Sequence, residues 1–273
     1  MKRGEFKLGS LYGLLGEKLK HSISPKIHSL IFKEGNIQGY YHLFEVEKEN
    51  LGSAVEGLKA LCAKGVNVTI PYKVSVMEYL DEISIEAKKI GSVNTICFNG
   101  NKTIGYNTDY YGFGIMLEKN NITVANKSAV ILGSGGASKA VLQYILDKGI
   151  KDVKIVSRDV SKIKCTDKMK YFNLISYDEI KYLKGKDIII NCTPCGMYPN
   201  LQCSPVEKEV ISDFSVAIDL IYNPSETLFL KYARELGIKG VNGLYMLVGQ
   251  AVAAEELWNN ISISVDKIYD KIV

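Results

Sequence analysis

The apolar run at 129–132 ends in Gly133-Ser-Gly-Gly-Ala-Ser-Lys-Ala140, and a helical pattern follows over 137–147. An uninterrupted apolar run of this kind predicts a strand buried on both faces, as in a parallel sheet covered by helices. The theme recurs at 153–156, 188–191, 216–220 and near Val241, with helical segments between. Such alternation predicts an α/β domain built on a parallel sheet. The glycines Gly133, Gly135 and Gly136 permit a tight turn and let the backbone approach a pyrophosphate. The helix N-terminus then offers free N–H groups to that anion. Ser138 occupies the place of the third glycine in the usual fingerprint and is small enough for close helix packing.

The first half of the chain reads differently. Strands are expected at 11–15, 40–46, 66–69, 91–98 and 103–106, and a helix at 51–62. Pro25 suits the first turn of a helix running to about Glu34, with Ser24 before it as N-cap. A long helical stretch at 243–258 follows the final strand. A chain of 273 residues suits two moderate domains. The boundary is expected near 106–112. The division is residues 1–109, completed by C-terminal helices at 244–273, and a nucleotide-binding domain at 110–243.

Several function classes are excluded. The chain is 47% hydrophobic and 23% charged, which fits a folded protein rather than a disordered one. Its net charge of +4 is spread along the sequence, whereas a nucleic-acid partner would want a concentrated basic stripe. No apolar run approaches the roughly 20 residues of a membrane helix. No signal-type stretch follows the charged N-terminus, so a cytoplasmic protein is expected. The six Cys are then expected as reduced thiols. Cys192 and Cys195 form a C-x-x-C, but no second pair with metal-ligand spacing exists, and they read as packed or loop thiols. No metal is expected.

The strand at 153–156 leads into Ser157-Arg158-Asp159, with Lys162 close behind. NAD-binding sheets usually place a carboxylate there for the ribose 2′-hydroxyl, and cations suit the 2′-phosphate of NADP instead. NADP is therefore favoured. Asp159, if turned inward, would favour NAD. In the first half, His21-Ser-Ile-Ser-Pro25 places Ser22 and Ser24 just before a helix, where their hydroxyls could bond a ligand carboxylate. Asn67-Val-Thr-Ile-Pro-Tyr-Lys73 puts polar side chains at a strand end and a Lys on the next turn. Asn94 and Asp109 lie at two further strand ends.

Together these pieces resemble the shikimate dehydrogenase family, in family order over nearly the whole chain. They are H-S-x-S-P at 21–25, N-V-T-x-P-x-K at 67–73, S-V-N-T at 92–95 and N-T-D at 107–109. The second half adds G-S-G-G-A at 133–137, N-C-T-P-x-G-M at 191–197, D-L-I-Y-N-P at 219–224 and M-L-V-x-Q at 246–250. The resemblance implies two α/β domains separated by a cleft, the second Rossmann-like. It implies NADP-dependent reduction of 3-dehydroshikimate to shikimate, a step of aromatic amino-acid biosynthesis. Carried over by residue, Ser22 and Ser24 hold the substrate carboxylate with Tyr222 nearby, while Thr69, Asn94 and Gln250 meet the ring hydroxyls. Lys73 and Asp109 form the catalytic pair. Gly133, Gly135, Gly136 and Ala137 approach the pyrophosphate, and Ser157, Arg158 and Lys162 the adenosine phosphate. Thr193, Leu220 and Gly243 lie along the nicotinamide. Ser157 stands where members often have Asn, and Lys162 where many have Arg, which alters the cation fork. Two rival readings are a quinate/shikimate dehydrogenase using NAD and a non-catalytic ligand-binding module on the same fold. The expected partners are small molecules, with no nucleic acid or membrane, and the chain is expected to be a monomer or homodimer.

Overall fold

Residues 9–160 and 172–273 are described by a computed structural model. The chain forms two units, Met1–Tyr111 with Val248–Val273, and Gly112–Leu247.

The first unit is built on a mixed sheet. Its strands are β1 (Ser10–Gly16), β2 (Gly39–Glu45), β3 (Gly65–Val68), β4 (Glu82–Ile83), β5 (Thr95–Asn99) and β6 (Lys102–Tyr106). They lie in the order β2-β1-β3-β5-β6-β4. β1 runs parallel to β2 and β3, whereas β5 is antiparallel to β3 and β6. The helices are α1 (Ser24–Glu34), α2 (Leu51–Ala60) and α3 (Ile85–Ile90). On one side Leu51, Val55 and Leu58 of α2 pack on Leu15, Val66, Val68 and Ile96. Elsewhere Tyr12 and Phe32 pack with Ala254 and Trp258 from the C-terminal part of the chain. The Trp258 indole N–H donates to the Ile96 carbonyl at 3.0 Å. Burial of both its apolar ring and its donor is thereby satisfied.

Two expectations are corrected here. The strand expected from 91 begins only at Thr95, because α3 occupies 85–90 and ends at Gly91 in the left-handed conformation (φ 77°). Ser84 caps α3 by accepting from the Ala87 N–H, a signal obscured by the shortness of the helix. Ser24 is not an N-cap. It is already helical, and the backbone N–H of Ser24 is instead bonded by the Ser22 hydroxyl at 3.2 Å.

The second unit carries a parallel sheet. Between the two units' sheets in sequence lies α4 (Asp109–Lys119). The elements that follow are β7 (Ser128–Leu132), α5 (Gly136–Asp147), β8 (Asp152–Val156), β9 (Asn173–Ile175), β10 (Ile188–Asn191), α6 (Lys208–Ile211), β11 (Val216–Asp219), α7 (Leu228–Glu235) and β12 (Lys239–Val241). The strand order is β12-β11-β10-β7-β8-β9, with every pairing parallel. Read from β9, this is the order 3-2-1-4-5-6 of a dinucleotide-binding Rossmann sheet, whose ligand crevice opens where the order reverses. That point lies between β7 and β10. Val130, Leu132, Ile189 and Ala217 form the sheet's share of the core. The chain closes with α8 (Leu244–Asn259) and α9 (Val265–Tyr269). No helix among the described residues is long and apolar enough to cross a membrane.

The cysteine expectation is also corrected. Cys195 is bonded to Cys203, eight residues on, rather than left as a thiol. The loop after β10 folds back on itself and brings the two Cα atoms to 5.6 Å, within the span a disulfide bridges. Among the described residues, Cys62, Cys97 and Cys192 are not disulfide-bonded.

Candidate active site

In the first unit, strand ends and helix starts converge on one polar cluster. The Lys73 ammonium lies 2.6 Å from Asp109 Oδ2. Lys73 is fixed by the turn after β3, where its carbonyl accepts from the Val93 N–H at 2.7 Å. Asp109 opens α4, where a carboxylate is favoured by the helix dipole. Its Oδ1 accepts from Asn94 Nδ2 at 3.0 Å. The same amide reaches Thr108 Oγ1 at 3.0 Å and Gln250 Oε1 at 3.4 Å. Asn94 Oδ1 in turn accepts the Thr108 N–H at 2.7 Å. Asn94, Asp109 and Gln250 are buried, and only the Lys73 side chain keeps modest exposure at 15%. A charged pair in such a place is oriented before any ligand arrives.

Ser22 and Ser24 sit at the start of α1. The Ser24 hydroxyl bonds the phenol of Tyr41, which itself donates to Asn67 Oδ1 at 2.7 Å. Asn67 Nδ2 continues to Thr95 Oγ1 at 3.1 Å, and Thr95 Oγ1 to Asn94 Oδ1 at 3.0 Å. One network therefore joins the serines to the Lys73–Asp109 pair. Thr69 lies beside it, its N–H on the Leu15 carbonyl at 3.0 Å. Tyr41, Asn67, Thr95 and Thr108 were not assigned roles from sequence, since a Tyr in a strand and hydroxyls at strand ends carry no positional signal before folding.

In the second unit, Gly133 leaves β7 with φ +98°, a conformation open to glycine. A Cβ on it would lie 2.9 Å from Thr193 Cγ2, so the turn after β7 and the loop after β10 meet at the crevice. Nothing stands within 4 Å of a Cβ built on Gly135, and α5 starts one residue later. The turn at Gly135, immediately before α5, thus leaves room for close approach of an anion such as a pyrophosphate. Ser138 is buried and donates to the Gly135 carbonyl at 2.6 Å, closing the turn in the third glycine's place. Ser157 is buried at the end of β8, 3.5 Å from Ser134 Oγ, and Arg158 beside it is exposed. Lys162 lies outside the described residues. Thr193, Leu220, Tyr222 and Gly243 all belong to this unit. A Cβ on Gly243 would fall 2.0 Å from the Leu220 carbonyl oxygen, so only glycine fits there.

The family model described as the shikimate dehydrogenase substrate binding domain matches residues 14–96, and that of shikimate / quinate 5-dehydrogenase matches 116–220. A shikimate dehydrogenase (NADP(+)) of Clostridium beijerinckii is 56% identical over 90% of this chain and 91% of its own length. The chain belongs to the shikimate dehydrogenase family. Its structure is similar to that of a chorismate mutase/shikimate 5-dehydrogenase fusion protein from Clostridium acetobutylicum, at 55% identity and TM-score 0.91 over 97% of each chain. It is also similar to the shikimate 5-dehydrogenase of Thermus thermophilus in complex with NADP(H) and shikimate, at 27% identity and TM-score 0.85, over 96% of this chain and 97% of that one.

One group in this family member escaped the sequence reading. Asp219, the first residue of the D-L-I-Y-N-P run, is fully buried at the end of β11. Burial pushes its carboxyl up to about 7 from 3.8, against the hydrogen bonds from Thr227, Ile221 and Asn191. The raised value means that the folded protein holds a proton the unfolded chain has already released. Its stabilising contribution is complete below about pH 4, is lost as pH rises toward 7, and is absent above. Asp219→Asn removes this dependence. Urea unfolding at pH 5 and pH 8 should therefore show the variant gaining on the wild type as pH rises. A difference independent of pH would contradict the assignment.

Proposed function

We propose that the chain interconverts 3-dehydroshikimate and shikimate with NADP(H). The observation that carries the reading is the Lys73–Asp109 pair at 2.6 Å, held by Asn94 beside Gln250. A binding module would need no such proton-handling pair.

NADPH, when bound, supplies hydride to the ketone carbon. The Rossmann unit offers the open turn before α5 to its pyrophosphate and Arg158 to its 2′-phosphate. As the ketone oxygen gains negative charge, the Lys73 ammonium stabilises it and passes it a proton. Asp109 holds that ammonium in place and hydrogen-bonds the same hydroxyl. The Lys73 amine regains its proton from solvent. Ser22 and Ser24 bind the carboxylate, and Thr69, Asn94 and Gln250 the ring hydroxyls. The setting is cytoplasmic and the partners are small molecules.

The test sets shikimate and quinate each against NADP⁺ and NAD⁺, following nicotinamide reduction. Shikimate with NADP⁺ should give the highest kcat/KM. Preference for quinate or for NAD⁺ would overturn the reading. Arg158→Ala should then weaken NADP⁺ by about 1.5–3 kcal/mol, the worth of a charged hydrogen bond, and leave NAD⁺ little changed. Equal loss of both cofactors would show that Arg158 does not read the 2′-phosphate.

A further inference from the structure

Asp219 is a carboxyl group buried without a cation beside it among the described residues, and the mechanism above does not use it. Isolated buried carboxyls are costly, so what this one holds is informative. Its Oδ1 accepts from Asn191 Nδ2 at 3.0 Å and from the Ile221 N–H at 3.1 Å. Its Oδ2 accepts from Thr227 Oγ1 at 2.6 Å. Each bond leads elsewhere. Asn191 Oδ1 accepts both the N–H of Thr193 at 2.9 Å and its hydroxyl at 2.7 Å. Asn191 Nδ2 also touches the Cys195 carbonyl at 3.4 Å, at the root of the disulfide-closed loop. The Ile221 N–H fixes the Leu220–Ile221 peptide, and the Ile221 carbonyl accepts from Gly243 at 3.0 Å. Thr227 caps α7.

We propose that Asp219 is a positioning residue for the nicotinamide side of the site, acting through Asn191 on Thr193 and through Ile221 on Leu220 and Gly243. The inference rests on the shikimate dehydrogenase reading of Thr193, Leu220 and Gly243. Asp219 touches neither cofactor nor substrate. It ties the ends of two neighbouring strands, β10 and β11, so that their loops form one surface. Asn191 is a two-way relay because an amide donates to the carboxyl on one side and accepts from Thr193 on the other.

Asp219→Ala should lower kcat/KM for NADP⁺ by about 10²-fold, the scale expected when a reacting group is misplaced by roughly 1 Å. The KM for shikimate should hold near its wild-type value. The isotope effect measured with 4-deuterated NADPH should rise, since hydride transfer becomes the slow step. Asp219→Asn keeps the acceptor for Asn191 and Ile221 and can donate to Thr227, so it should recover most of the loss. If Asp219→Ala does not fold, Asn191→Ala cuts only the arm to Thr193 and should show the same cofactor-side loss and raised isotope effect. Equal damage to both KM values with an unchanged isotope effect in either variant would overturn the proposal, as would wild-type kinetics. A wild type that fails to oxidise shikimate would instead overturn the functional reading itself.

Discussion

Lys73→Met should cut kcat by about 10²–10⁴, the usual cost of losing a general acid. Met keeps much of the stem's bulk and removes the ammonium that lies 2.6 Å from Asp109. On the proposed mechanism two effects then disappear together, proton donation to the ketone oxygen and stabilisation of the charge that develops there. Neither acts in the ground state, so shikimate affinity should change far less than turnover. The carboxylate and remaining ring contacts stay in place. The variant should also fold, because Lys73 is partly exposed and its backbone bond to Val93 is untouched. Asp109→Asn should slow turnover as well, since Asp109 loses its hold on the ammonium while Asn94 keeps a partner at position 109. The double variant should fall short of the product of the two single losses, as residues acting as a unit do. Single-turnover kinetics with saturating shikimate and NADP⁺ separate chemistry from binding. A Lys73→Met enzyme with near-normal turnover would remove both roles from Lys73.

How much of this was readable beforehand depends on whether the signal is local. The 129–132 run and its glycine turn are local, and β7, the turn and α5 stand where the pattern puts them. So do β10 and β11, apolar up to their last residue as buried parallel strands are, and β8, where half-buried Asp152 and Lys154 interrupt the run. In the first unit the sheet is mixed and partly exposed. Patterns there are weaker, α3 was not foreseen, and the strand expected from 91 starts only at Thr95. Lys73, Asn94 and Asp109 were named from the resemblance to a family, and their meeting is a tertiary fact that no spacing predicts. Asp219 was passed over because an Asp after an apolar strand looks like an ordinary strand end. It is buried where Thr227 at the start of α7 and Asn191 of β10 close on it, which sequence does not display. Cys203 was missed for a similar reason, since the eye falls on the nearer C-x-x-C of Cys192 and Cys195.

Glu255→Leu should destabilise the protein by about 3–5 kcal/mol, the cost of stranding one partner of a buried pair. His28 of α1 and Glu255 of α8 are both fully buried, with Nδ1 and Oε1 2.5 Å apart. Glu255 Oε2 accepts from Asn259 at 2.8 Å, and Asn259 Oδ1 accepts from the Tyr12 hydroxyl at 2.7 Å. Among the described residues His28 already lacks a partner at Nε2, so losing Glu255 leaves its ring with no hydrogen bond to any of them. The same ring stacks on Tyr41 at 3.8 Å between centroids, and Tyr41 holds Ser24. The damage should therefore reach the shikimate KM through Ser24 as well as the stability. Removing both partners is different, because neither the ring nor the carboxylate is then stranded, and only the half-buried Asn259 amide loses its acceptor. The double variant His28→Leu, Glu255→Leu should recover much of the lost stability, as apolar replacements of buried pairs often do. It should not recover the KM, since Leu cannot stack on Tyr41 as imidazole does. Urea unfolding of the two single variants and the double one closes the cycle. Additive losses would mean that His28 and Glu255 stabilise the fold separately, and that the pair does not couple α1 to α8.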